Sequence, residues 1–419
     1  AIYNKGTITT INADFVGNYS KNITTGYWPY IYGGAVYNEG IITNLTGKFV
    51  CNYTYDTVST SNTSYSARGG ALYNTKTISS LVSDFVGNYA FSTYYSYGGA
   101  IYNTGTISSL TGDFVSNYSS GNYTYGGAIY TTGTISSLTG DFISNYVSST
   151  STASYGGAIY NTSSNGIGLT NNKFIGNYAI STSGKALGGA IYTTNSLTIS
   201  ADNETTLFSG NYTQVGSAEK DYNAIYIDSA SAILTLNATN NGVITFEDNI
   251  NGANGYKVKI TGDSTGVVNL YNDVKNANIT TDSAVISTAN NVTHEYNFLS
   301  LNSNVSTKYS IDVDLTNNTS DIFVVGSNST GTITLDDLNL IGGDWNDFIN
   351  SNRTIQIIKT SNNNLQLAIS ENLQKELDKF SEVIEGKIRK DMVSSTVNSN
   401  EKLYNYENAS IIKTIGLGT

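Results

Sequence analysis

The chain has 419 residues, of which 39% are hydrophobic and 13% charged, and a formal net charge of −11. That acidic balance, with no basic patch to oppose it, excludes the electrostatic footprint of a nucleic-acid binder. A single cysteine, Cys51, rules out an intrachain disulfide, and no apolar run reaches membrane-spanning length.

Proline occurs once, at Pro29. It cannot donate to a strand ladder, so its near absence fits a backbone held mostly in sheets. Scarce cysteine is compatible with an exported bacterial protein without fixing the compartment. No signal peptide is visible. The length alone suggests two or three globular domains, but a solenoid escapes that arithmetic because its core grows in one dimension.

The chain opens on Ala1-Ile2-Tyr3-Asn4, followed by Phe15 and Asn18, which is the second half of a unit repeated downstream. A chain that begins inside a repeat reads as a piece of a longer one. Full copies start at Gly33-Gly34, Gly69-Gly70, Gly98-Gly99, Gly126-Gly127, Gly156-Gly157 and Gly188-Gly189. The second glycines are 36, 29, 28, 30 and 32 residues apart, and four consecutive copies place Phe49, Phe85, Phe114 and Phe142 at 15 residues after them. A last copy, Ala224-Ile225-Tyr226 with Phe246 and Asn249, has lost its glycines. A fixed period of this size means one structural unit stacked on itself.

The copy at 98–126 divides into three β-rich words, AIYN, TISSL and DFVSNY, each too short for a helix. This predicts an all-β fold, a single-stranded parallel β-helix with about one coil per repeat of 28–36 residues. Each coil would advance about 4.8 Å. Phe49, Phe85, Phe114 and Phe142 are expected to form an internal column, backed by Ile78, Ile107, Ile135, Leu81, Leu110 and Leu138. Asn52, Asn88, Asn117 and Asn145, in a column running from Asn18 to Asn249, suit a tight corner, because Asn tolerates left-handed geometry and stacked amides bond one another. The glycine pairs suit a bend or a close backbone approach.

Length variation is concentrated between the Asn-Tyr and the next Gly-Gly, as in 54–68, 90–97 and 147–155. Insertions recurring at one point of a coil emerge on one side, often the binding face. The tyrosines there, Tyr65, Tyr94, Tyr95, Tyr97, Tyr123, Tyr125 and Tyr155 with Tyr55, offer stacking area and a polar handle as binding-face loops. The plain alternative is solvated Ser/Thr/Tyr loops.

Domain organisation reads as a regular repeat over 1–250, irregular coils over 251–368 and a helical cap or linker over 369–419. Alternating segments at 256–260, 267–271, 311–315, 322–325, 332–335 and 355–358 predict the irregular coils. Leu373, Leu377, Phe380, Ile384 and Ile388 share one face of a short C-terminal amphipathic helix.

The alternation of GGAVYN…FVCN, GGALYN…FVGN, GGAIYN…FVSN and GGAIYT…FISN resembles the passenger repeats of bacterial polymorphic outer-membrane proteins and related autotransporters. The resemblance covers about 1–250 through specific motifs and is weaker over 251–365. It implies a right-handed β-helix, secretion across an outer membrane, and adhesion to cells or surfaces. The sequence departs from that pattern in lacking the C-terminal membrane barrel, so any membrane attachment would run through a region absent from this chain. It also departs in its Tyr after GGAI, which leaves the adhesive target open.

Parallel β-helices also carry polysaccharide-processing enzymes, whose sites need clustered carboxylates or a carboxylate with Arg, Lys or a metal. Asp14, Asp84, Asp113 and Asp141 precede the Phe column, with Lys48 and Lys173 in equivalent places. They read as a turn or ladder; a Ca²⁺-binding column is the alternative. His294 is the only histidine and reads as structural, while Asp312/Asp314 and Asp336/Asp337 read as solvated edges. No catalytic, cofactor or metal motif emerges. The expectation is a non-enzymatic, extracellular or bacterial cell-surface protein. Its partner would be a host-cell, bacterial or glycan surface, or copies of itself in a filament or coat. A polysaccharide-processing or tailspike-like protein is the alternative from another class.

Overall fold

The computed structural model describes residues 1–22, 30–57, 65–343, 354–361, 364–381, 393–397 and 411–416. Pro29, Ile384 and Ile388 lie outside them. The described chain is almost all β and forms long parallel sheets of stacked strands, a parallel β-helix with a short helix near the C-terminus. It divides into two compact units: Ala1–Leu234 with Phe246–Ala253, and Thr235–Thr245 with Asn254–Thr419.

In the first unit each coil lays strands on three parallel sheets. The copy at 98–126 contributes Ile101–Asn103 to the first, Thr106–Thr111 and Phe114–Val115 to the second, and Tyr118–Tyr125 to the third. Pairing is in register between like residues: Ile101 faces Leu72 and Ile129, and Phe85 faces Phe49 and Phe114. Phe49, Phe85, Phe114 and Phe142 are fully buried, and their rings stack at 4.7–4.9 Å. The ring spacing matches the strand spacing, so one rise satisfies backbone and side chains together. Each such aromatic pair contributes about 1 kcal/mol beyond its burial.

The Asn column is a continuous amide ladder. Asn117 Nδ2 donates to the Phe85 carbonyl at 2.8 Å and to Asn145 Oδ1 at 3.0 Å. Its own Oδ1 accepts from the Asn88 backbone N–H at 3.0 Å and from Asn88 Nδ2 at 2.9 Å. Asn52, Asn88 and Asn145 repeat the pattern, all fully buried. Two sequence expectations need correction. The left-handed residue at this corner is the one before the Asn (Cys51, Gly87, Ser116, Ser144), which explains the small side chains there. And the column ends on Asp248, not Asn249: the Asp248 carboxylate accepts the Asn211 backbone N–H at 2.9 Å and Nδ2 at 2.8 Å.

The third segment of each coil is an arch. In one coil Tyr118 begins it and Gly126-Gly127 end it, and a Cβ on Gly99, which closes the arch of the coil before, would overlap the backbone of Tyr118 and of Gly127. The two arms therefore start and finish at one narrow neck, which only glycine permits. Inside the arch small residues face each other: Ser96 Oγ accepts the Ser92 N–H at 2.9 Å, and Val147, Ala179 and Ala186 form a small core of their own. The variable stretches are thus walls of a stacked arcade. Tyr95–Tyr97, Tyr118–Tyr125 and Tyr146–Tyr155 are strands where the sequence suggested loops.

The second unit stacks mostly unlike residues. Tyr256 faces Ala277, Ile279 faces Leu301, Val285 faces Lys308, and Glu295 faces Ile322. Tyr256, Tyr296, Tyr309 and Phe323 are fully buried, and Phe323 meets Tyr296 at 6.0 Å and Tyr309 at 5.6 Å. Helix Glu371–Ser381 is capped by Ser370, whose Oγ accepts the Leu373 N–H at 3.2 Å, and it buries Leu373. The region read as a helical cap or linker is mixed: strands Val393–Val397 and Ile411–Gly416 pair antiparallel, the latter also with Thr354–Thr360.

Candidate functional site

A corner of the first unit brings two columns of outward-facing aromatic residues together. In the strand after each glycine pair, Ile101 and Asn103 point inward, so Tyr102 points out. In the arm before the pair, Ser96 is inside the arch, so Tyr97 is outside. The first glycine of each pair is left-handed (Gly98, φ 61°) and turns these two outer faces toward each other. Tyr97 meets Tyr102 edge-on at 6.0 Å and Tyr130 at 4.9 Å, and Tyr125 meets Tyr160 at 5.0 Å. Stacking along the axis adds Tyr73–Tyr102, Tyr102–Tyr130, Tyr130–Tyr160 and Tyr160–Tyr192 at 4.9–5.1 Å. The result is a double aromatic column lining the corner.

Burial against one another raises these phenols. Tyr160 is pushed up to about 12, and Tyr97, Tyr125, Tyr130 and Tyr192 are raised further still, burial being the largest cause in each. The corner therefore stays neutral and donor-capable through physiological pH. Its charged residues are few. Glu39 accepts from Tyr3 at 2.6 Å and from Tyr37, and Asp228 accepts from Tyr192. Arg68 stands in the arm column itself, its guanidinium 4.6 Å from the Tyr30 ring.

The residues proposed as binding-face loops separate. Tyr97, Tyr125 and Tyr155 line the corner. Tyr95 and Tyr123 stack at 5.0 Å farther along the same arm, and Tyr94 is exposed beside them. Tyr65 is buried, while Tyr55 stacks on Phe91. Sequence reasoning missed Tyr73, Tyr102, Tyr130, Tyr160 and Tyr192 as partners of this surface. The fixed Tyr after GGA was the available signal. A second Tyr column, Tyr53–Tyr89–Tyr118–Tyr146–Tyr178, stacks at 4.8–5.0 Å at the start of the arch.

The Asp column is a ladder. Asp14 accepts the Lys48 N–H at 2.9 Å, Asp84 the Asp113 N–H at 3.2 Å, Asp113 the Asp141 N–H at 2.9 Å, and Asp141 the Lys173 N–H at 3.0 Å. Among the described residues no group of three or more acids, His or Cys is arranged to hold a metal. In the second unit, Asp312 is fully buried, correcting its reading as a solvated edge. It accepts the Asn290 and Val292 N–H groups at 2.7 and 3.0 Å, while buried Asp321 accepts from the His294 N–H at 2.9 Å and Thr288 Oγ1 at 2.7 Å. Together they clamp the segment 288–294. Burial pushes the Asp321 carboxyl up to about 6 against these bonds. His294 meets Asp273 at 2.8 Å, and Lys308 pairs with Asp336 at 3.1 Å. Asp314 binds its own turn through Asn317.

Comparison of the chain with known protein families, curated proteins and solved structures gives no match.

Proposed function

We propose that this chain is a non-enzymatic, extracellular or cell-surface solenoid of the autotransporter-passenger type. In this reading it presents the tyrosine-lined arcade of its first unit to a host-cell, bacterial or glycan surface. The observation that carries this reading is the aromatic arm of the arcade, where Tyr95 and Tyr123 stack beside exposed Tyr94, next to half-buried Tyr97, Tyr125 and Tyr155. All lie on the outside of the sheets and are backed by the Tyr73–Tyr102–Tyr130–Tyr160 column. The chemistry of the acids supports it too. Asp14, Asp84, Asp113 and Asp141 each bond the backbone of the next coil, and Asp312 and Asp321 hold a segment in place.

The test is adhesion of the labelled chain to cells and immobilised glycans, compared with the double variant Tyr95→Ser, Tyr123→Ala. Equivalent positions in the same column are Ser66 and Ala153, so the variant is expected to fold. Saturable binding that weakens about tenfold in the variant supports the reading. No binding by the parent chain, or unchanged binding by the variant, removes it.

A further inference from the structure

The arm column bordering the corner runs Tyr32, Arg68, Tyr97, Tyr125, Tyr155 in direct register. The next rung is Leu187, so every other rung carries an uncharged side chain, Tyr or Leu, and the charge of Arg68 is a local exception that the repeat does not explain. It is half-buried, and its guanidinium lies 4.6 Å from the Tyr30 ring, 5.4 Å from Tyr102 and 5.7 Å from Tyr97. Nε donates to Ser66 Oγ at 3.1 Å. Among the described residues no carboxylate forms an ion pair with it.

An arginine held by aromatic faces keeps its planar fork oriented while its charge remains uncompensated by a carboxylate. Aromatic rings beside it offer flat surfaces for the apolar faces of sugar rings, and phenol hydroxyls offer donors for sugar oxygens. The chain as a whole is acidic, at net −11, so an anionic group would be held by Arg68 itself and not drawn in by the overall field.

We propose that Arg68 and the tyrosines around it form a subsite for a carboxylate-bearing sugar: the carboxylate pairs with the guanidinium and the ring stacks on Tyr30 or Tyr97. This deepens the adhesive reading above and rests on it. The shared chemistry is the sugar carboxylate, whether from a uronate within a polymer or a terminal sialic acid.

The test measures binding of the full chain to oligogalacturonate and to sialyllactose by calorimetry, each against its carboxyl-methyl-ester form, with Arg68→Tyr and Arg68→Lys as variants. Arg68→Tyr restores the column residue, and its melting is expected to match the parent. Binding of one acid sugar at least ~10-fold tighter than its ester, lost in Arg68→Tyr and weakened in Arg68→Lys, is the expected result. Which arm responds identifies the source of the carboxylate. Equal affinity for acid and ester, no binding of either acid, or binding unchanged in both variants overturns the subsite. Cell adhesion that persists in Arg68→Tyr while failing in the Tyr95/Tyr123 variant would remove this inference and leave the adhesive function standing.

Discussion

Residues 98–126 and residues 277–303 each add strands to a parallel stack, yet different interactions hold them. The first stretch sets Phe on Phe, Asn on Asn and Tyr on Tyr, so its main columns meet their own kind one strand spacing away. The second sets Ile279 against Leu301 and Thr281 against Ser303, and buries Tyr296 and Phe298 against Phe323 instead of against equivalents of themselves. Like-on-like stacking fixes register strongly, because a slip of one residue breaks every rung at once. It also tolerates no Cβ at the neck of the arch. Unlike packing spreads the burden over individual fits, and leaves polar clamps such as Asp312 and Asp321 to fix a segment that no repeat defines.

The sharpest way to break this comparison is a single methyl group. Gly127→Ala places a Cβ into the carbonyl of Gly157 and the backbone of Tyr146, neither of which can move without disrupting the next coil. Expression as insoluble or partly unfolded protein is expected. Gly255→Ala in the second unit meets nothing nearer than Asn278 Nδ2 at 3.6 Å, so only its φ of 86° opposes it. That cost is about 1–2 kcal/mol, read by urea denaturation.

Next in size is Asn117→Ala, which abolishes four hydrogen bonds and strands the buried Asn88 N–H. A loss of about 3 kcal/mol or more is expected in denaturant unfolding of the first unit. Alkaline titration probes the Tyr columns. Tyr118, Tyr160 and Tyr178 titrate at about 12 in the fold, above their ordinary value of 10.0. The stability tied to their neutral form is complete below the unfolded value and declines as pH rises through the folded one. Tyrosinate absorbance should therefore appear late and together with loss of strand circular dichroism.

Asp321 gives a smaller effect of the same sign in an acid window. Its folded value of about 6 exceeds its ordinary 3.8, so the fold binds the proton more tightly than the unfolded chain does. Its contribution is present below about 4 and falls by roughly 3 kcal/mol as pH rises through 6. Melting of the second unit should drop across that window, and Asp321→Asn should flatten the drop. Least disturbing is Asn103→Thr. Asn103 belongs to a second ladder, Asn38–Asn74–Asn103 at 2.8 Å per bond, which already passes to Thr131 at 3.1 Å. A cost of about 1 kcal/mol or less is expected by the same denaturant assay.

What the sequence made legible follows from this division. The Phe and Asn columns and the glycine pairs were readable because identical residues at a fixed period have one stacking solution. The arch was not, because Ser119, Thr124 and Ser149 look like loop residues by type although they point into its interior. The corner was only half visible: Tyr97 and Tyr125 stood out as insertions, whereas Tyr102 and Tyr130 were hidden inside the repeat word. Burial of Asp312 and Asp321 depends on backbone N–H groups some 9–27 residues away in sequence, beyond the reach of any local pattern.

Native-state hydrogen exchange on the full chain, parent against Asn117→Ala, measures most directly whether the first unit is held by cumulative rungs. Cumulative rungs mean that the backbone amides of Asn52, Asn88, Asn117 and Asn145 lose protection together while those of 256–270 keep theirs. Loss confined to the Asn88 amide, with its neighbouring rungs unchanged, would contradict a ladder that acts as one.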